Sequence, residues 1–451
     1  MKLATQSLLR RIARVAAVLL PLSLLPAAAS APAAYEGVAS CAGSTCPGRI
    51  EGDGKVVRQD ELSTWQNPSS RSGAHSRAWT VLGGARGQAI ARTLGLGDAR
   101  EASACLGCHA TPPGPRGERF QISDGVGCES CHGPASNWIA SHAAVGASHA
   151  DNIRAGMIAL ERPQVRASVC LDCHFGSEKK GQFVDHRMMA AGHPRVNFEL
   201  DLFSTLQQHW DEDGDYAQRK GATSGLQMWA VGQAEAVRRI VSLYADARLG
   251  QQGAFPELYF FDCQSCHRRI YDGSNRNLTF EPNTARAIPF GMPPFNDENF
   301  IMLSAIAHIA SPQLAQRFDT DARAFHAALG KGRSEAVTAA ARLNASAQAL
   351  SDALAARPLS LDTAFAAAAR IGAQPTLERF TDYAGAMQAV MAVDTLLNAL
   401  VKEKRITIGA AAGIRASVNR AYAAVRDNNA FDPPAFRTAL RQATGAIGSL
   451  R

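Results

Sequence analysis

The sequence predicts a mainly α-helical chain with little regular strand, built in two parts. Three observations predict it. Four copies of the pattern C-x-x-C-H fall between positions 105 and 267, joined by short helical stretches and Gly/Pro-rich loops. Apolar residues recur at spacings of three, four and seven, the period of one helix face. After about Ser311 the chain becomes rich in Ala and contains no Cys, yet keeps the helical period.

The four copies are Cys105-Leu-Gly-Cys108-His109, Cys128-Glu-Ser-Cys131-His132, Cys170-Leu-Asp-Cys173-His174 and Cys263-Gln-Ser-Cys266-His267. This pattern attaches c-type haem (heme c). Two thiols three positions apart reach the two vinyl groups on one porphyrin edge, and the imidazole that follows lies under the ring as the proximal iron ligand. Zinc knuckles, thioredoxin-like pairs and disulfides also use paired cysteines. None of them needs His after every pair, and His is only 12 of 451 residues. The first part of the chain is therefore read as organised by at least four haems. Cys41 and Cys46 form a fifth close pair.

The N-terminus reads as a signal peptide over residues 1–31. Lys2, Arg10, Arg11 and Arg14 form its basic region, Val15 to Leu25 its apolar core, and Ala27 to Ala31 supply small residues for cleavage. Arg10-Arg11 is a weak twin-arginine signal, and a chain that receives its haems after export must cross unfolded. No later apolar run reaches roughly 18 residues, and the nearest, 387–401, contains Asp394. The expectation is an exported, periplasmic protein with no transmembrane segment.

The formal charge is +7, from 47 Lys+Arg against 40 Asp+Glu. Without the four basic residues of the signal the balance is 43 against 40. Haem propionates add roughly two negative charges each, which turns four haems into a net of about −5. This charge carries no nucleic-acid function.

In chain order, residues 71–96 read as a helix with His75, Trp79 and Leu82 on one face, closed by Gly95 and Gly97. After His132 a helix carries Trp138 and His142. The third motif leads into Asp185-His186-Arg187-Met188-Met189-Ala190-Ala191-Gly192-His193-Pro194, where Pro194 biases His193 away from helical backbone. Residues 224–249 form a long helix with Trp229, Ala236, Ile240 and Leu243 near one face. Residues 275–294, rich in Asn, Arg and Pro, read as a loop. Asn296 or Asp297 caps a helix that runs through His308. Helices follow at 312–329, 334–356, 360–371, 375–403, 408–426 and 434–450, broken at Gly330, Pro358, Gly372 and Asn428-Asn429. The division is thus a haem-bearing domain at 32–311 and a helical domain at 312–451, separable near Ser311.

Each iron keeps a second axial position for His, or for Met, which raises the potential. His75 qualifies by its helix, its place before a motif and its neighbour Trp79. His308 lies on an apolar face with Ile301 and Ala305. His186 and His193 flank Met188 and Met189, the rival ligands. His142 competes with His149 for one role. His209 and His326 read as structural or exposed.

Several stretches resemble the multihaem cytochromes related to cytochrome c-554 of nitrifying bacteria. They are Asp124-Gly-Val-Gly-Cys-Glu-Ser-Cys-His-Gly-Pro-Ala135 with Trp138 and His142, Ala191-Gly-His-Pro-Arg195 with Phe198-Glu-Leu200, and Trp229 with Gly232-Gln233. The resemblance spans roughly 35–309. It implies a haem-packed multihaem cytochrome c domain, electron transfer in the periplasm, and bis-His ligation with His75, His142, His186, His193 and His308 as the distal ligands. Members of this kind open with C-x4-C-H. Here Pro47 stands where the His belongs, so Cys41 and Cys46 stay open between a fifth haem and a disulfide.

The leading function is electron transfer between redox protein partners, because six-coordinate iron leaves no room for substrate. The alternative is a multihaem oxidoreductase acting on a small nitrogen compound at an open iron. A third reading, compatible with the first, has the helical domain dock the protein to a membrane-associated redox complex.

Overall fold

A computed structural model describes residues 32–43, 48–49, 58–222, 224–251, 257–267, 288, 292–427 and 431–451. Residues 1–31, read above as a signal peptide, Cys46, Pro47, most of the 275–294 loop and the Asn428-Asn429 turn lie outside the described residues.

The described chain is mainly helical, with two isolated bridges, Tyr35–Arg116 and Phe261–Phe295, in place of strands. The haem-motif half consists of short helices: α1 (Glu61–Gln66), α2 (Ala85–Leu94), α3 (Ser103–His109), α4 (Cys128–His132), α5 (Ile139–Ala143), α6 (His149–Arg154), α7 (Pro163–His174), α8 (His186–Ala190), α9 (Leu200–Leu206) and α10 (Gly214–Lys220). The rest is built from longer ones: α11 (Gly225–Ala245), α12 (Glu298–Ala310), α13 (Pro312–Leu329), α14 (Arg333–Ala356), α15 (Leu361–Ile371), α16 (Gln374–Leu377), α17 (Tyr383–Lys402), α18 (Ile408–Ala424) and α19 (Pro433–Gly448).

Two expected helices are broken. Residues 71–96 form two 3-10 segments, Ser72–Arg77 and Thr80–Gly83, before α2. Gly83-Gly84 ends the second, Gly84 being extended at φ −71, ψ 164. Residues 375–403 split into α16 and α17 because Asp382 caps a new start, accepting from Gly385 N at 2.7 Å.

The organising element is α11. It is buried on nearly all sides, with Trp229, Ala230, Val231, Ala234 and Val237 fully enclosed. A helix apolar all round needs neighbours all round. It packs on α7 and α9 from the haem-motif half and on α12, α14 and α17. Gln227 Nε2 donates to Leu354 O at 2.9 Å, and Asn344 Nδ2 to Ser242 Oγ at 2.7 Å. One continuous apolar core therefore runs from Ala167 to Ile447. The change of composition near Ser311 does not divide this core: α11 packs on helices from both sides of that position.

Of the described helices, α17 is long and apolar enough to cross a membrane, but 83% of its apolar window is buried inside the protein. Asp394 in its middle pairs with Arg415 and accepts from Tyr422. It is a core helix. Residues 58–160 are different. They hold only two small apolar clusters, around Leu82, Ala91 and Ala99 and around Ala135, Trp138 and Met157. They wrap instead around a cavity of about 1790 Å³.

Candidate haem-binding site

Three of the four motifs lie in helical turns: the last turn of α3, all of α4 and the last turn of α7. A helix sets positions i, i+3 and i+4 on one face. Both thiols and the following imidazole are thereby aimed the same way. The fourth motif uses a 3-10 turn, Cys263–Ser265, which Asp262 caps by accepting from Ser265 N at 2.7 Å.

Each motif histidine faces a second histidine. The ring centroids stand 6.3 Å apart for His109 and His193, 6.4 Å for His132 and His209, 6.3 Å for His174 and His75, and 6.2 Å for His267 and His186. A metal–imidazole bond is about 2 Å long and the ring centre lies about 1 Å further out, so two imidazoles on opposite sides of one metal stand about 6 Å apart. All four pairs have that spacing.

The far nitrogens fix the tautomers. His109 Nδ1 lies 2.7 Å from Ala78 O, His193 Nδ1 2.8 Å from Pro194 O and His209 Nδ1 3.2 Å from Gln207 O. A carbonyl only accepts, so each Nδ1 carries the proton and each Nε2 keeps its lone pair for a metal. Burial pushes His132 down to about 3 and His174 to about 4, and lowers His75, His193 and His209 too. These five rings are thus held neutral, the form that binds metal.

The sites are close to one another. Cys108 Sγ is 3.9 Å from Cys173 O, and Cys173 Sγ is 3.9 Å from Gly107 O. This contact requires glycine: a Cβ on Gly107 would sit 2.3 Å from Gly181 O, and one on Gly181 2.0 Å from Ser103 O. Three of the pairs line the cavity described above, which exceeds the roughly 300–1,000 Å³ of a single small-molecule site. A sparse apolar core, paired imidazoles and thiols on the same wall fit covalently held haem.

Other site residues lie elsewhere. His142 lines the cavity but packs edge-on against Trp138, with Nδ1 3.4 Å from Asn152 Nδ2. An amide N–H pointing at Nδ1 puts the proton of a neutral ring on Nε2, unlike the Nδ1-protonated rings of His109, His193 and His209. His308 Nε2 is 2.7 Å from Asp319 Oδ2, at the corner of α12 and α13. His149 Nε2 faces Glu161 Oε2 at 3.2 Å. Neither His142 nor His308 stands opposite a motif ring among the described residues; His209 does, although the sequence reading passed over it. It lies beyond the end of α9, where no helical period marks it. The thiol of Cys41 contacts that of Cys128, so this cysteine sits beside the second motif.

Sequence reading also missed Glu129, inside the second motif. Its buried carboxylate accepts from the backbone N–H of Glu36 at 2.8 Å, Gly37 at 2.7 Å and Ala135 at 2.7 Å. It pins the N-terminal segment to α4.

Residues 59–133 match the family model of cytochrome c554 and c-prime. This segment is related to the cytochrome c554 family. The match covers the first two motifs and His75. Relation to the cytochrome c554 family supports a c-type cytochrome with covalently bound haem and a role in electron transfer. No curated protein matches the chain, and no solved structure does.

Proposed function

We propose that the protein is an exported, periplasmic multihaem c-type cytochrome that transfers electrons between redox protein partners and carries four covalently bound haems. The observation that carries this is the set of four imidazole pairs at 6.2–6.4 Å. Bound haem supplies a one-electron iron couple. The chain supplies the rest. Cys105 and Cys108, Cys128 and Cys131, Cys170 and Cys173, and Cys263 and Cys266 anchor it. His109, His132, His174 and His267 would bind the iron of a bound haem, as would His193, His209, His75 and His186 opposite them. Phe198 and Phe203 exclude water around His174, at ring distances of 4.8 and 5.4 Å.

With both faces of each iron occupied, no position is left for a substrate, which favours transfer over catalysis. Intact mass of the mature protein and its electron paramagnetic resonance spectrum test the reading. The expected result is four haems, all low-spin. A fifth covalent haem would place one on Cys41 and Cys46, and a high-spin signal from about one iron in five would revive the oxidoreductase. Fewer than four haems would overturn the proposal.

A further inference from the structure

The electron richness of a ligand imidazole depends on what its far nitrogen does. An Nδ1–H that donates to a good acceptor makes the ring more basic, and a more basic ligand favours oxidised iron. The four pairs differ in this respect. In the His109–His193 pair both rings donate to backbone carbonyls, at 2.7 and 2.8 Å. In the neighbouring His174–His75 pair, His174 Nδ1 is buried with no partner among the described residues. Its ring is held by aromatic packing instead, stacked on Phe198 and edge-on to Phe203. His75 Nδ1 lies 3.3 Å from Gln207 Oε1. Among the described residues, the side chain of Gln207 is thus the one Nδ1 acceptor on either ring of that pair. Chemistry fixes the amide's orientation: a His75 that binds iron through Nε2 carries its proton on Nδ1, so an oxygen must face it.

Gln207 serves two pairs at once. Its side chain meets His75, while its backbone carbonyl accepts from His209 Nδ1 at 3.2 Å. It holds this place because it ends α9, where the chain turns out of the helix. We propose that Gln207 is a positioning residue whose side chain sets the redox potential of the iron between His174 and His75. The inference rests on the reading of function above. Since the side chain and the carbonyl address different irons, a substitution separates them.

The test uses the full-length, haem-loaded protein in three forms: unmodified, Gln207→Leu and Gln207→Glu. A potentiometric titration is followed by optical and electron paramagnetic resonance spectra, and the signal of this iron is assigned as the one that turns high-spin in His75→Ala. Gln207 is only half-buried at a helix end, so both variants keep the fold. In Gln207→Leu that one signal should change its g-values and its midpoint should shift to higher potential, with the His132–His209 signal unmoved. In Gln207→Glu the same midpoint should shift lower, because a carboxylate is the stronger acceptor. If the midpoint is unchanged in both variants, or if all four midpoints shift together, the inference is overturned while the reading of function stands. An unmodified protein without bis-imidazole low-spin signals overturns both, and shows it before any substitution is made.

Discussion

His209, proposed above as a ligand, illustrates how a residue is placed opposite a motif histidine by tertiary structure alone. It belongs to no helix, and nothing in its immediate sequence marks it beyond Trp210, whose ring lies 5.1 Å away. What selects it is the end of α9, which turns Gln207 O toward its Nδ1 and so turns Nε2 toward His132. Replacing it separates this placement from the sequence-level alternatives. His209→Ala should convert about one iron in four to high-spin at unchanged haem content, whereas His142→Ala and His308→Ala should leave the spectrum low-spin; optical and magnetic resonance spectra of the three variants check this. The motif cysteines and their histidines were legible because the spacing itself encodes the chemistry. The imidazoles opposite them were less so, since ring-to-ring spacing is set by elements far apart in the chain: 132 to His209, 109 to His193, 174 back to His75. Glu129 was illegible for a similar reason, its donors at Glu36 and Gly37 being about ninety positions away.

At the scale of elements, the joint between α9 and α17 couples the two halves of the chain. Gln388 Nε2 on α17 donates to Phe198 O at 2.6 Å, and Thr395 Oγ1 donates to Glu199 Oε2 at 2.8 Å. Phe198 in turn stacks on His174, so the Ala-rich half reaches to within one residue of a motif histidine. Glu199 caps α9, accepting from Asp201 N and Leu202 N at 2.9 and 2.7 Å. Burial, and then the charge of Asp201, pushes its carboxyl from the usual 4.5 up to about 8; burial also pushes Asp201 up to about 6. The sign of the pH effect follows. Below about 4.5 both folded and unfolded chains hold the Glu199 proton. Between about 4.5 and 8 the unfolded chain releases it and the folded chain keeps it, so stability falls as pH rises through that window and levels off above it. The Glu199 contribution to stability falls by on the order of a few kcal/mol across that window. The buried neutral histidines act in the opposite sense up to about pH 6.5. The contribution is therefore read above that, where thermal unfolding from pH 7 to 8.5 should show a falling midpoint. Glu199→Gln, which cannot ionise, should flatten that slope; a slope as steep as in the unmodified protein would assign the effect to other groups.

Over the whole molecule, the haem-motif half and the Ala-rich half fold as one object for opposite reasons. The first is poor in apolar core because its short helices surround a cavity that haem would fill, and the second is rich in it. The break in composition near Ser311 was real and the individual helices after it were largely legible, since caps and glycines punctuate them. That α11 lies between the two halves was not, because an all-apolar helix advertises burial without naming its partners. Removal of residues 312–451 would expose one side of α11, including the faces that meet α14 and α17, and would take away the donors on Phe198 and Glu199. A chain ending at Ser311 should therefore accumulate poorly and carry little haem, seen by haem staining and by absorbance per unit protein against the full-length chain. Milder damage to the same interface should scale with it: Leu350→Ala, at a fully buried position on α14, should cost about 2–5 kcal/mol in denaturant unfolding while haem content is kept. Full haem loading in the truncated chain, together with an unfolding midpoint close to that of the full-length protein, would mean that the packed haems replace the partners α11 loses, and that the shared core is an addition to the haem fold and not a condition of it.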